Sequence, residues 1–372
     1  MVQNDKYNRK LRESTKRLIA NDGLTIKSLL LNIKEQKGIV SLFILLQVIL
    51  YCRETQEFFG KKFLDENTEK KFYDLRNKLK IFGNKYNHSQ KEFLKSDYQQ
   101  DESFKNDLRF DFMKSWNIHY NLGIYFDKEG HILSNTQFMQ HYLEKADLLD
   151  ADSEEQKRIE MISFGQRIGE CIERILLYSG VHKNGRTPYL ALDNLQVGYV
   201  DINTNIEKEF FTHPENKGLN LVFLHMLSLL GTDKYFLRKI LNVNNTWRLR
   251  NEYITAHNIQ HGLIIIMNHF KMSSVADSID LDRLKEVIEK GDGLFSTNYR
   301  NCMMHYNLIQ KEDPCIKQEL FCMDEPFYGL IESCFNGKNQ EDYYSELRAY
   351  MDVVECYLSE WFFIDRKRIK FD

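Results

Sequence analysis

Four prolines and 18 glycines in 372 residues leave long stretches with nothing to interrupt a helix, because these two residues are the ones whose backbones most oppose a helix interior. Apolar side chains recur at helical spacing through the first hundred residues, at Leu29, Leu30 and Ile33 and again at Ile44, Leu45, Val48 and Ile49, with Gly38 breaking the two runs. A mainly α fold is expected. Apolar residues at 42% and charged residues at 28% can close a core and argue against disorder. The chain also exceeds the size at which one core usually stops growing. Three segments are expected: an N-terminal helical region over 1–110, a mixed middle over 111–210 and a C-terminal helical bundle over 211–372.

The middle carries a small β excursion. Asp127-Lys128-Glu129-Gly130 reads as a turn joining Gly123–Phe126 to His131–Leu133 as a hairpin. Ser153-Glu154-Glu155-Gln156 matches a capping box, opening a helix that contains Ile159 to Leu177. Residues 182–215 hold two of the four prolines and read as a connection. Beyond it, helices are expected over about 217–242, 246–271, 275–290, 295–310, 326–336 and 340–365. Asp292-Gly293 ends the third, and Ser296 or Thr297 caps the fourth.

Several function classes are disfavoured. The seven cysteines are scattered without CxxC pairs, as in a reduced cytoplasmic protein. The greasiest stretch, Ile39 to Tyr51, is about half the ~20 residues that span a bilayer. The start lacks the apolar core of a signal peptide, so a cytoplasmic chain with no membrane partner is expected. No Gly-rich phosphate loop, nucleophile elbow or dinucleotide fingerprint is present. A net charge of −3 restricts nucleic-acid binding to local clusters. Residues 61–91 are one such cluster, with nine Lys/Arg against four Asp/Glu, and make Arg76, Lys78 and Lys80 RNA-binding candidates; 366–370 (RKRIK) is another.

Chemistry concentrates at residues 299–306, Tyr-Arg-Asn-Cys-Met-Met-His-Tyr. On a helix, Asn301 and His305 share a face, while Arg300 lies about 140° around the axis from His305, within reach only of a long side chain. Arginine can hold two phosphate oxygens, and imidazole exchanges a proton near neutrality. RNA brings its own nucleophile, the 2′-OH. His305 as general base or acid, Arg300 as clamp and Asn301 as orienter therefore suit transesterification without metal or cofactor, leaving a 2′,3′-cyclic phosphate and a 5′-OH. One histidine rarely performs both proton transfers, which points to two copies meeting across a dimer seam. Tyr299 and Tyr306 flank the motif as candidate RNA-stacking aromatics.

This run resembles the Arg-x4–6-His signature of HEPN domains, in which a polar residue follows the arginine. The resemblance implies a dimerising helical bundle over the C-terminal part. It implies an endoribonuclease of the kind found in toxin–antitoxin, abortive-infection and CRISPR systems, with RNA, transfer RNA included, as substrate and an antitoxin or regulator as partner. Arg300, Asn301 and His305 are the residues it covers. A non-catalytic helical module for dimerisation, RNA binding or regulation is the alternative.

Two other runs compete. Arg250 and His257, with Asn251, also satisfy the signature and lie seven residues apart on one helix face. Arg76-Asn77 followed by His88 echoes it with too long a spacing, as a degenerate N-terminal bundle would. His257 and His261 have zinc-chelating spacing but no third ligand is indicated, so no metal is expected.

Overall fold

The computed structural model describes residues 2–32, 39–78, 86–106, 119–149, 153–180, 190, 196–205, 210–272 and 279–371. These residues are mostly helical, as the scarcity of breakers implies. The N-terminal part supplies α1 (Val2–Asn32), α2 (Ile39–Phe43), α3 (Leu45–Phe59), α4 (Glu66–Lys78) and α5 (Tyr86–Asn106). The middle supplies β1 (Leu122–Asp127), β2 (Ile132–Asn135), α6 (Thr136–Lys145), α7 (Glu154–Tyr178) and β3 (Val197–Ile202). Then come α8 (Lys217–Gly231), α9 (Thr246–Met272), α10 (Leu281–Glu289) and α11 (Thr297–His305). A short hairpin of β4 (Ile309–Gln310) and β5 (Asp313–Pro314) precedes α12 (Leu330–Cys334), α13 (Gln340–Ser359) and β6 (Lys370–Phe371). No helix of the described residues is long and apolar enough to cross a membrane.

The hairpin forms where the turn residues place it. Asp127 Oδ1 accepts from the backbone N of Glu129 (3.0 Å) and His131 (2.8 Å), and Gly130 takes a left-handed φ of 85°. β3 and β6 add to it in the order β2-β1-β3-β6, all antiparallel. Part of the 182–215 connection is thus a sheet strand, and 181–189, 191–195 and 206–209 lie outside the described residues. The Ser153 cap is as expected, its Oγ accepting from Gln156 N at 3.2 Å.

Helix α8 is mostly apolar and all its residues from Gly218 to Gly231 are buried, as a central helix must be. It packs on β2, α5, α9 and α13. Contact with β2 is so close that a Cβ on Gly231 would sit 1.7 Å from the Ile132 carbonyl oxygen, which explains the glycine. Asn135 locks the junction, capping α6 at Phe138 N (2.8 Å) and donating to Ser228 Oγ (2.8 Å). One buried apolar cluster runs from Tyr7 to Phe362, with α1 laid against α3, α7 and α9.

After α8 the chain continues as a π-helical turn over Thr232–Leu237, then to Ile240, filling the expected 217–242 helix. Asp233 on this turn is fully buried. Burial pushes its pKa from 3.8 up to about 7, against the Thr255 hydroxyl and the Arg238 charge and with the negative charge of Glu252 adding to it. The folded protein therefore keeps a proton that the unfolded chain releases, and Asp233 costs stability progressively from about pH 4 to about pH 7. Relative to wild type, Asp233→Asn should gain about 4 kcal/mol between those limits, read by urea unfolding at both pH values. A pH-independent difference would show that Asp233 is ionised in the fold.

Candidate active site

The motif helix α11 begins at the expected cap, with Ser296 Oγ accepting from Tyr299 N at 3.5 Å. It stops at His305, five residues before the expected end at 310, because Tyr306 turns left-handed (φ 46°). That conformation is unfavourable for a residue with a Cβ and persists only where surroundings hold it. Here three groups do. The Tyr306 hydroxyl donates to Asp22 Oδ2 at 2.6 Å, its ring lies 3.8 Å under the Arg250 guanidinium, and Tyr51 meets it edge-on at 5.7 Å.

Arg250 is the centre of this anchor. It is 2% exposed, bonds Asp22 Oδ2 through Nε at 3.0 Å, and donates Nη1 to the carbonyls of Met303 (2.6 Å) and Cys302 (3.2 Å). A cation at the last carbonyls caps the C-terminus of α11 and meets the negative end of its dipole. The rival motif arginine is thus the fastening of the motif helix and has no opening to a substrate. Its partner His257 points elsewhere, packing on Tyr253 and Phe295. Burial lowers the His257 pKa to about 4, offset in part by a hydrogen bond with Asn258, and the Arg300 charge lowers it further. Asn251 is buried with its amide nitrogen unpartnered among the described residues. The Arg250/Asn251/His257 alternative therefore corrects to a structural set.

The two members of the main motif part company. His305 is 43% exposed and turns toward α3, where its Nδ1 lies 2.7 Å from Glu54 Oε2. Glu54 is 5% exposed, and its other oxygen accepts from Arg76 Nε of α4 at 2.6 Å. Burial raises the pKa of Glu54, but the His305 hydrogen bond and the Arg76 charge outweigh it and hold the carboxyl below its ordinary value. A carboxylate can only accept, so Nδ1 carries the proton and Nε2 of neutral His305 keeps a lone pair. The three side chains line a cleft of about 480 Å³ together with Arg53, Glu57, Phe58, Tyr73, Asn77 and Asn307. Tyr73, 53% exposed, is an aromatic ring at its rim.

Arg300 is not among the lining residues. Its Nη1 donates to Asn301 Oδ1 at 2.9 Å, and its charge acts on Tyr253 and His257. Asn301 in turn donates to Gln310 at 3.3 Å. The expected clamp role of Arg300 toward His305 is not what the geometry offers, since their offset of about 140° turns the two side chains to different faces of α11, and Asn301, the expected orienter, is bonded to Arg300 and Gln310 and not to His305. Tyr299 and Tyr306, both fully buried, are likewise unavailable for stacking on RNA. Tyr299 instead shares a hydrogen bond with Tyr344 at 3.0 Å and packs on Tyr253, Phe335 and Tyr343. Of the basic candidates, Arg76 enters the cleft, Lys78 is paired with Glu92 at 2.8 Å, and Lys80 lies outside the described residues.

Sequence reading missed Glu54. Its trace is a carboxylate on the stripe Gln47-Tyr51-Glu54 of α3, all buried, where a charge has to find partners. Among the described residues one cluster has metal-ligand geometry, Asp127, Glu129 and His131, whose donor atoms lie within 4.8 Å of one another. Lys239 Nζ already sits on its two carboxylates, at 2.8 Å from Asp127 Oδ2 and in contact with Glu129.

No family model, curated protein or solved structure matches the chain. The likeness to HEPN domains rests on residues 299–306 alone.

Proposed function

We propose that the protein is a metal-independent endoribonuclease whose reacting centre is the cleft of His305, Glu54 and Arg76. The observation that carries this reading is the short Glu54 contact at His305 Nδ1 in an open cleft, with an arginine on the far side of the same carboxylate. Such a carboxylate fixes the imidazole tautomer and the orientation of the ring. His305 Nε2 removes the proton of the RNA 2′-OH, and the 2′-oxygen bonds to the adjacent phosphorus. The P–O5′ bond breaks, giving a 2′,3′-cyclic phosphate and a 5′-oxygen that takes a proton. Arg76 and Arg53 supply positive charge to the crowded phosphorane. A second copy of the chain, its own His305 in the acid form, donates the proton to the leaving oxygen in a homodimer.

The test is incubation of total RNA or transfer RNA with purified protein in EDTA. Wild type should cut and leave 2′,3′-cyclic ends, and His305→Ala should cut at least about 100-fold more slowly. Equal cutting by the variant overturns the assignment. The same network also staples α3, α4 and α11, which favours a second reading, a non-catalytic module for dimerisation or RNA binding. That reading predicts no cleavage by wild type and a loss of stability in His305→Ala. A growth-arrest or anti-phage role in the cytoplasm, restrained by an antitoxin, follows from the motif resemblance alone; toxicity on expression, relieved by His305→Ala, would support it.

A further inference from the structure

Beside the His305 cleft lies a larger groove of about 960 Å³. One wall is the ridge Arg9, Arg12 and Lys16 of α1, which share a helix face and climb about 10 Å along it. The opposite wall is Phe58 and Phe59 of α3, in edge contact at 5.2 Å. The β4–β5 hairpin closes one side with its tip residues Lys311 and Glu312 in left-handed conformations (φ 50° and 73°). That tip is fastened to α1, since Asn8 Nδ2 donates to the Glu312 carbonyl (3.2 Å) and Tyr7 to that of Ile316 (3.0 Å). Glu57, Phe58 and Asn307 line both cavities, so the groove opens into the cleft.

The charges are unevenly committed. Lys16 is paired with Glu13 at 2.8 Å and Arg53 with Glu57. Arg9, Arg12 and Lys311 have no ion-pair partner among the described residues, and all three are exposed. The uncommitted acids of the groove are Asp5 and Glu312, which can accept from exocyclic amino groups of bases. Cations on α1 and the hairpin tip, acceptors on the same two elements and aromatic rings on the opposite wall are the combination that holds a single strand by its phosphates and bases.

We infer that this groove is a substrate subsite, in which Arg9, Arg12 and Lys311 hold the phosphates of single-stranded RNA flanking the bond presented to His305. The inference rests on the ribonuclease reading of the adjoining cleft for its direction. It can nevertheless be tested without cleavage, because 2′-O-methyl RNA lacks the nucleophile and cannot be cut.

Fluorescent 2′-O-methyl oligocytidylates of about 4 and about 12 nucleotides, within the footprint range of single-strand grooves, would be titrated against the full chain over a salt series. The longer probe should bind more tightly. In Arg9→Gln/Arg12→Gln its advantage should vanish, and its log K against log salt slope should shrink by about 1.4, two contacts at about 0.7 each. The control pair Arg158→Gln/Arg167→Gln, at exposed positions of α7, should change neither, and thermal melting checks that both variants fold. Equal affinity of wild type for the two probes, or an unchanged slope in the α1 variant, overturns the inference. Length-dependent binding lost in that variant, without cleavage of ordinary RNA by wild type, upholds the groove and sinks the nuclease reading. Cleavage dependent on His305 alongside an unchanged slope does the reverse.

Discussion

Arg250→Met should lower the unfolding free energy by about 3–5 kcal/mol, the cost of leaving a buried charge without its partner. The charge left behind is Asp22, fully buried on α1, which among the described residues then keeps Thr246 and Tyr306. The carbonyls of Cys302 and Met303 lose their donor at the same time. Urea unfolding measures the loss, and Asp22→Asn/Arg250→Met should recover part of it because the orphan charge is gone. A cost below about 1 kcal/mol would mean that α11 is held by its apolar contacts and that the guanidinium is incidental. The variant should also cut RNA poorly well below its melting temperature, since the end of α11 that carries His305 is what Arg250 fastens.

The second large effect separates two arginines that the motif alone cannot rank. Arg76→Met should slow cleavage by about 10²–10³-fold, the usual cost of removing one donor to transition-state charge. Arg300→Met should leave the rate within a few-fold, because its guanidinium is bonded to Asn301 and its charge falls on Tyr253 and His257. Single-turnover rates at saturating RNA make the comparison, with circular dichroism confirming that both variants fold. A loss in Arg300→Met as large as that in Arg76→Met would return the clamp to the motif helix.

Much of the secondary structure was legible because it depends on near neighbours. The Asp127–Gly130 turn, the Ser153 and Ser296 caps and the long α8 and α9 all follow from turn chemistry, capping and unbroken apolar spacing. Ends set by distant contacts were not legible. The motif helix was expected to reach 310 and stops at 305, because Asp22, some 280 residues earlier, and Arg250 hold Tyr306 left-handed. The expected 340–365 helix likewise ends at Ser359, where Phe362 packs on Phe210 and Phe211 and the Trp361 carbonyl accepts from Thr212 N.

The same division holds for the candidate site. Sequence alone placed His305 in the last part of a helix and marked Arg76 as a notable cation, since residue type and helical phase are local properties. It could not tell that these two belong together. Their link is Glu54, a carboxylate on a third helix, and only packing of α3 between α4 and α11 brings the three within hydrogen-bond reach. Sequence proximity made Arg300 the natural partner of His305, but five residues on a helix turn side chains to different faces. Which arginine shares a cleft with the histidine was decided by the tertiary structure, through the burial of Arg250, the pairing of Arg300 with Asn301 and the exposure left at His305.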